Sequence, residues 1–313
     1  MFDQKRKEEI LGKLNKAKGK KVFLQVPEGL KMGALDLMDF LEKDGIGVLL
    51  FLEPCFGACD LRDKEAKTLG CDLLLHIGHS DFGLKTKVPV IYEEYEIVCD
   101  PLPLLEWHLK KLDYERISLV TTIQFVHCLG GVKEFLEGKG KKVYVGSTGK
   151  LKSGQVLGCD YSGAKALEEK VDCFLFIGSG RFHPLGLQEI VSKPVLFLDL
   201  EKKNLTSFFR EKERLETLRI MRTQKAKDLR NFGVVVSTKP GQLNLKTAET
   251  IKERLKSIGK NAYILVADQL TPEKLIGMKI EVIVNTACPR MREDFEQFGK
   301  VILDPKDIDL LEQ

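Results

Sequence analysis

Two cysteines lie one hundred positions apart in nearly identical surroundings and could act as metal ligands. Cys59 stands in the run Gly-Ala-Cys-Asp, and Cys159 stands in Leu-Gly-Cys-Asp. A third, Cys288, ends the run Thr-Ala-Cys near the end of the chain. Thiolates are strong ligands for zinc and for iron-sulfur clusters. The spacing therefore predicts that these three of the eight cysteines share one metal centre.

The elements around these cysteines repeat along the chain. Short β-branched and aromatic runs alternate with stretches of helical period, which indicates parallel strands joined by crossover helices. Strands are predicted at 22–26, 47–52 and 73–77 in the first third, 117–120, 142–145 and 173–177 in the second, and 233–236, 262–266 and 282–284 in the third. Asp72 and Asp172 match at the same spacing of one hundred. The pattern predicts an α/β fold of three similar βαβ-type domains.

The repeat places the domains at residues 1–103, 104–206 and 207–313. A long charged helix over about 207–230 is predicted to link the second repeat to the third. Its predicted buried side carries Leu215, Leu218 and Met221.

The candidate ligands fall where open α/β folds bind ligands, beyond the carboxyl ends of strands. Cys59 and Cys159 follow the second predicted strand of their repeats, whereas Cys288 follows the third. The repeat is therefore imperfect at its third ligand.

The other cysteines are predicted to be structural, as small buried apolar residues. Cys173 lies inside an apolar predicted strand, and Cys71 falls opposite a valine in the second repeat. Cys99 and Cys128 occupy segments without a counterpart in the other repeats. Cys55 forms a C-x-x-x-C pair with the first candidate ligand, but no third cysteine follows two residues later.

The ligand pattern favours an iron-sulfur cluster over zinc. Structural zinc sites use paired ligands a few residues apart, and the sequence has no C-x-x-C or H-x-x-x-H. His79 and His127 lie near predicted strand ends, where a hydrogen-bonded loop histidine is more common than a ligand. Single cysteines that converge from three repeats suit a cluster. In a cluster of four irons, three thiolate ligands leave one iron without a protein ligand. That iron can bind a substrate as a Lewis acid.

Composition indicates an ordinary globular chain. Charged residues make up 31% of the 313 residues, and the net charge is only +4. Basic residues cluster over 5–21, but acidic and apolar residues interrupt them at helical spacing. No apolar run is long enough for a signal peptide or a membrane span. We therefore expect a cytoplasmic protein with no membrane segment and no direct nucleic-acid partner.

Four runs together resemble a known family, the radical-forming enzyme of diphthamide biosynthesis in its archaeal single-gene form. They are Val-Pro-Glu-Gly-Leu at 26–30, Pro-Cys-Phe-Gly-Ala-Cys-Asp at 54–60, His-Ile-Gly-His-Ser at 76–80 and Thr-Ala-Cys-Pro-Arg at 286–290. The resemblance covers essentially the whole chain.

This resemblance implies three α/β domains in a triangle, with a central [4Fe-4S] cluster held by Cys59, Cys159 and Cys288. It implies that S-adenosylmethionine binds the open iron and is cleaved between sulfur and the methionyl γ-carbon. The resulting 3-amino-3-carboxypropyl radical, or its iron-bound equivalent, is added to C2 of a histidine imidazole in translation elongation factor 2, with 5′-methylthioadenosine as by-product. This is the first step of diphthamide biosynthesis. No catalytic residue is implied beyond the cluster.

The same resemblance implies a homodimer, an external electron donor and elongation factor 2 as the protein substrate. Contacts to S-adenosylmethionine are expected on the turns after the strands. Arg290 is the candidate for the methionyl carboxylate, because a guanidinium can bind a carboxylate with two hydrogen bonds. Candidates for the remaining polar groups are Gln124, Ser179, Lys239 and Gln242.

Three other functions remain open from the sequence. One is a quinolinate synthase-like enzyme, whose family also resembles a triangular fold with a three-cysteine cluster. Another is a non-catalytic iron-sulfur subunit that passes electrons to a partner. The third is a metal-free nucleotide-binding protein.

Overall fold

The computed structural model describes residues 2–149, 151–291 and 298–312. Its α-helices in these ranges are α1 (Gln4–Lys16), α2 (Ala34–Lys43), α3 (Asp63–Thr68), α4 (Leu102–Trp107), α5 (Leu129–Gly138), α6 (Ser162–Lys165), α7 (Phe182–Ile190), α8 (Phe209–Lys227), α9 (Leu245–Ser257) and α10 (Ile308–Leu311). Its strands are β1 (Lys21–Gln25), β2 (Gly47–Leu50), β3 (Leu73–Ile77), β4 (Val90–Glu93), β5 (Arg116–Thr121), β6 (Lys142–Val145), β7 (Cys173–Gly178), β8 (Val195–Asp199), β9 (Asn204–Ser207), β10 (Asn231–Ser237), β11 (Asn261–Ala267), β12 (Val282–Asn285) and β13 (Val301–Leu303).

The strands of the described ranges form three sheets with the same internal order. The orders are β2-β1-β3-β4, β6-β5-β7-β8-β9 and β11-β10-β12-β13. All pairs are parallel except β8 with β9, which is antiparallel. In each sheet the first strand of the repeat lies between the second and the third. The predicted α/β fold with three parallel-dominated sheets is confirmed; the triangular arrangement stays a prediction.

One acidic side chain fixes the start of the inner strand in each sheet. Asp72 accepts two backbone N–H groups at the start of β1, over 2.8 and 2.9 Å. Asp172 accepts the first backbone N–H of β5 over 2.9 Å. Glu281 accepts two at the start of β10, over 2.9 and 3.0 Å. Glu281 thus has the same role in the third repeat as the two matched aspartates. The match was not visible in the sequence, because the third residue is a glutamate.

Side chains of the strands alternate between two apolar layers, as the pleat of a buried sheet requires. In the first sheet, Leu24 and Leu75 pack with α1 and α2, whereas Phe23 and Leu74 pack with the loop and helix that follow β2. Both leucines of the first layer are fully buried, and burial of such a side chain stabilises the fold by about 1.5–3 kcal/mol. This burial holds the strand ends in fixed positions.

The predicted linking helix is confirmed as α8, and two of the three residues of its predicted buried side, Leu215 and Leu218, are half-buried. Met221 is 62% exposed, and the buried residues are Thr223 and Ala226. Arg219, one turn before the threonine, forms an ion pair with Asp307. The inward side of the helix therefore combines half-buried leucines with small and ion-paired residues, and Met221 lies off this side.

The chain divides into two compact units. The first is Met1–Ile97 with the short segment Lys239–Gly241, and the second is Val98–Thr238 with Gln242–Gln313. The predicted division into domains at 1–103, 104–206 and 207–313 stays a prediction. Among the described residues, no helix combines the length and the apolar character that a membrane crossing needs.

Candidate functional site

Cys59 lies half-buried in the loop between β2 and α3, as the sequence predicts. Gly241, which belongs to the same compact unit, donates its backbone N–H to the Cys59 carbonyl oxygen over 2.8 Å. A Cβ atom at Gly241 would lie only 2.5 Å from Cys59 Cβ and 2.7 Å from its Cα. The close backbone contact therefore requires glycine at this position.

The residue after Cys59 is at the centre of a buried charge cluster. Asp60 has no exposed surface, and its carboxylate lies 2.8 Å from Nη2 of Arg62 and 2.9 Å from Nζ of Lys239. The Lys239 ammonium also lies 4.9 Å from the centroid of the Phe56 ring. Lys239 is 5% exposed, and its contacts with Asp60 and Phe56 hold the loop of Cys59 in place. Its predicted contact with S-adenosylmethionine stays a prediction.

Two histidines and a glutamine form a polar layer behind this loop. The Nδ1 of His76, the residue before the end of β3, is 3.3 Å from Oε1 of Gln25. Its Nε2 is 3.0 Å from Nδ1 of His79. Gln25 in turn donates from Nε2 to the carbonyl oxygen of Asp60 over 2.6 Å. Burial lowers the pKa of His76 to about 3 and that of His79 to about 4, so both imidazoles are neutral near pH 7.

Cys55 lies against this layer. Its sulfur and one nitrogen of each of His76 and His79 all lie within 4.8 Å of one another. Burial, and then the charge of Asp60, raise the pKa of the Cys55 thiol to about 12. The thiol, and not the thiolate, is therefore the form of Cys55 near pH 7. Burial raises the pKa of Cys173 to about 12 in the same way. The division of the cysteines into ligands and structural residues stays a prediction.

Cys159 lies exposed between β6 and α6, in a loop that a phenylalanine supports. A Cβ atom at Gly158 would lie 2.2 Å from Cε1 of Phe182, so the ring packs directly on the loop backbone. Asp160, the next residue, accepts the backbone N–H of Ser162 over 3.0 Å. The repeat-related aspartates after Cys59 and Cys159 thus have different roles.

Cys288 lies half-buried after β12. Asn285 donates from Nδ2 to the Cys288 carbonyl oxygen over 2.8 Å and accepts the backbone N–H of Ala287 over 3.1 Å. Arg290 is exposed, and its Cζ lies 5.3 Å from the centroid of the Phe182 ring. Phe182 therefore contacts both cysteine loops of the second unit. Phe182 could not be predicted from the sequence, because its contacts join segments distant in the chain. Asn285 bonds to residues two and three positions later, so an asparagine at the strand end is the signal that could have found it.

The other predicted contacts to S-adenosylmethionine also follow strands. Gln124 is half-buried in the 3₁₀ helix Ile123–Cys128 after β5, and Ser179 is exposed directly after β7. Gln242 is buried at the end of the 3₁₀ helix Pro240–Gln242 after β10. These roles stay predictions.

The three candidate ligands fit an iron-sulfur cluster by their donor chemistry. Each is a cysteine in a loop beyond a strand end, with its side chain half-buried or exposed. Cys55, Cys71 and Cys173 are buried instead, and burial raises the pKa of each thiol.

Known proteins resemble this chain along almost its whole length. The family described as "Putative diphthamide synthesis protein" matches residues 26–312. The 2-(3-amino-3-carboxypropyl)histidine synthase of Pyrococcus horikoshii is 40% identical over 311 residues, which cover 97% of this chain and 89% of that protein. Subunit 1 of the human synthase is 30% identical, over 94% of this chain and 68% of that protein.

A solved structure shares the fold. The crystal structure of Dph2 from Pyrococcus horikoshii with a 4Fe-4S cluster matches with a TM-score of 0.91 and 39% identity, over 97% of this chain and 89% of that chain. The predicted [4Fe-4S] cofactor is thus confirmed in a homologue with the same fold. The predicted enzyme class is confirmed as well, since the relatives are named as aminocarboxypropyl histidine synthases. The sequence and the fold together place this chain in the diphthamide synthesis family.

Proposed function

We propose that this protein transfers the 3-amino-3-carboxypropyl group of S-adenosylmethionine to C2 of a histidine imidazole in translation elongation factor 2. The observation that carries the proposal is the set of three strand-end cysteines in a chain whose fold matches a cluster-containing homologue. The quinolinate synthase-like, electron-transfer and metal-free alternatives find no support among these relatives.

Cys59, Cys159 and Cys288 are the proposed ligands of the [4Fe-4S] cluster. When bound, the cluster supplies an electron and an open iron for the cleavage of S-adenosylmethionine. Contacts with neighbouring residues fix the positions of the loops that carry two of these ligands. Gly241 holds the Cys59 loop, and Phe182 holds the Cys159 loop.

Two buried cations, Arg62 and Lys239, lie beside the Cys59 loop. Asp60 is paired with both Arg62 and Lys239. Thiolate-ligated clusters carry net negative charge, and a buried cation nearby stabilises that charge. The neutral His76 and His79 add no further charge to this layer. The loop therefore suits an anionic cluster.

Cleavage at the γ-carbon requires that S-adenosylmethionine binds in one orientation. Arg290 is the proposed partner of the methionyl carboxylate, and its contact with Phe182 restricts the guanidinium. The other proposed contacts are Gln124, Ser179, Lys239 and Gln242.

The protein substrate must bring an imidazole to the site. The exposure of Cys159 supports a site that a protein side chain can reach. We further propose a cytoplasmic homodimer that receives electrons from an external donor.

The test uses anaerobically reconstituted, reduced protein with S-adenosylmethionine and elongation factor 2. The expected products are methylthioadenosine and a factor whose target histidine carries one aminocarboxypropyl group, shown by tandem mass spectrometry. Formation of 5′-deoxyadenosine alone, with an unmodified factor, would refute the proposal.

A further inference from the structure

Three potential metal ligands lie together in the second unit, apart from the proposed cluster ligands. Cys99 precedes α4, and His127 and Cys128 end the 3₁₀ helix that follows β5. The sulfur atoms of Cys99 and Cys128 are 3.3 Å apart, and Nε2 of His127 lies 3.2 Å from Sγ of Cys128. All three ligand atoms lie within 4.8 Å of one another. The sequence analysis treated both cysteines as structural.

Two thiolates and one imidazole are ligands that suit Zn²⁺. In a tetrahedral zinc site with Zn–S bonds of about 2.3 Å, two sulfurs lie about 3.8 Å apart. The observed sulfur pair reaches this spacing by moving about 0.5 Å apart. A disulfide bond of about 2.05 Å would instead require the sulfurs to close by about 1.2 Å. The geometry is therefore closer to a metal site than to a disulfide.

The surroundings of the three residues suit a bound cation with one solvent ligand. Cys128 is 8% exposed and is the N-cap residue of the ten-residue helix α5, whose N-terminal dipole stabilises a thiolate. Cys99 is half-buried and His127 is exposed, so an ion can enter from solvent. An open side also leaves room for a water molecule at a fourth position.

We propose that Cys99, His127 and Cys128 bind a zinc ion, with water as the fourth ligand. The ion connects Cys99, in the segment before α4, to the end of the 3₁₀ helix that carries Gln124. Cys99 and Cys128 are 29 positions apart in the chain. Binding is pH-dependent because the thiols must lose their protons to coordinate the metal. This site goes beyond the proposed function and needs neither S-adenosylmethionine nor the iron-sulfur cluster.

The test is zinc uptake by the full, cluster-reconstituted chain under anaerobic, thiol-reducing conditions. Zn²⁺ is titrated against a competing chelator, and zinc and iron are measured together after gel filtration. We expect one zinc per chain, with two sulfurs and one nitrogen around it by zinc-edge X-ray absorption. Cys99→Ser and Cys128→Ser should weaken zinc binding at least about a hundredfold, since loss of an outer-shell partner alone costs about 10–100-fold.

Controls separate this site from folding and from the cluster. Cys71→Ala removes a buried cysteine outside the proposed site and should leave zinc binding unchanged. His127→Asn changes an exposed residue, so it tests the site even where a cysteine variant fails to fold. Iron content should remain that of the wild type in every variant. Unchanged zinc affinity in Cys99→Ser and His127→Asn would overturn the proposal, as would a Cys99–Cys128 disulfide together with no zinc uptake after its reduction.

Discussion

The Lys239 ammonium lies 2.9 Å from the buried carboxylate of Asp60, directly beside the proposed ligand Cys59. Asp60→Asn would remove the counter-charge that Lys239 and Arg62 share, although Arg62 would still have Glu65 at 3.5 Å. Loss of one partner from a buried ion pair costs about 3–5 kcal/mol. We expect a decrease of that size in the free energy of unfolding of the apo chain, measured by urea denaturation.

The repeat provides a matched control for this substitution. Asp160 occupies the corresponding position after Cys159, but it is half-buried and accepts the Ser162 N–H instead of pairing with buried cations. Asp160→Asn keeps a side-chain acceptor, so its cost should stay below about 1 kcal/mol. Equal losses in the two variants would show that the buried charge cluster has no special role.

Gly241→Ala tests whether the glycine contact positions the cluster ligand. The new methyl group would meet Cys59 Cβ at 2.5 Å, so the cysteine loop must shift. Overpacking of this kind costs about 1–3 kcal/mol. We expect a folded protein that loses most of its iron and sulfide after reconstitution.

Gly12→Ala is the control for that experiment. Gly12 lies in α1, and an added Cβ meets nothing within 4 Å. This change should raise helix stability by up to about 1 kcal/mol and leave iron content unchanged. Full iron content in Gly241→Ala would contradict the positioning role.

The buried histidine pair predicts a loss of stability on mild acidification. Unfolded histidines bind protons below about pH 6.5, whereas burial lowers the pKa of His76 to about 3 and of His79 to about 4 in the folded chain. Between these values the unfolded state binds more protons, so the free energy of unfolding decreases as the pH falls from about 6.5 to 4. The double variant His76→Gln with His79→Gln should show a shallower decrease in urea midpoint between pH 7 and pH 5. An unchanged slope would contradict the account.

The three acidic residues at the starts of β1, β5 and β10 predict a further loss of stability at lower pH. Backbone N–H groups lower the pKa of Asp72 and Glu281, and Arg116 lowers that of Asp172. A lowered carboxyl pKa contributes stability above the ordinary value of about 4, and this contribution disappears as the pH falls through the folded-state value. Asp72→Asn, Asp172→Asn and Glu281→Gln combined should lower stability at pH 7 and flatten its decline below pH 4.5. A decline as steep as that of the wild type would refute this assignment.

Local pattern predicted the first three strands of each repeat, because strands carry short apolar and β-branched runs. The predicted bounds 73–77 and 142–145 coincide with β3 and β6. β4 and β8 were not predicted, because they begin directly after Pro89 and Pro194, where a turn is the usual reading. β9 and β13 were not predicted either. The spacing of one hundred residues selected Cys59 and Cys159 as proposed cluster ligands, whereas Cys288 was selected by its position after a strand of the third repeat and by the family resemblance.

Contacts between distant segments could not be predicted in this way. Gln25 reaches the Asp60 carbonyl, and Cys99 reaches Cys128, only because the fold brings separate segments together. Neither pair has a spacing motif in the chain. The exposure of Met221 in α8 could not be predicted for a related reason, since the buried face of a helix depends on what the helix packs against.

The central claim is that Cys59, Cys159 and Cys288 hold one cluster and that Cys55 does not. The most direct measurement is iron and sulfide content after anaerobic reconstitution of the four single cysteine-to-alanine variants. We predict loss of the cluster in Cys59→Ala, Cys159→Ala and Cys288→Ala, and wild-type content in Cys55→Ala. Equal iron loss in Cys55→Ala, or full iron content in any of the other three variants, would contradict the account.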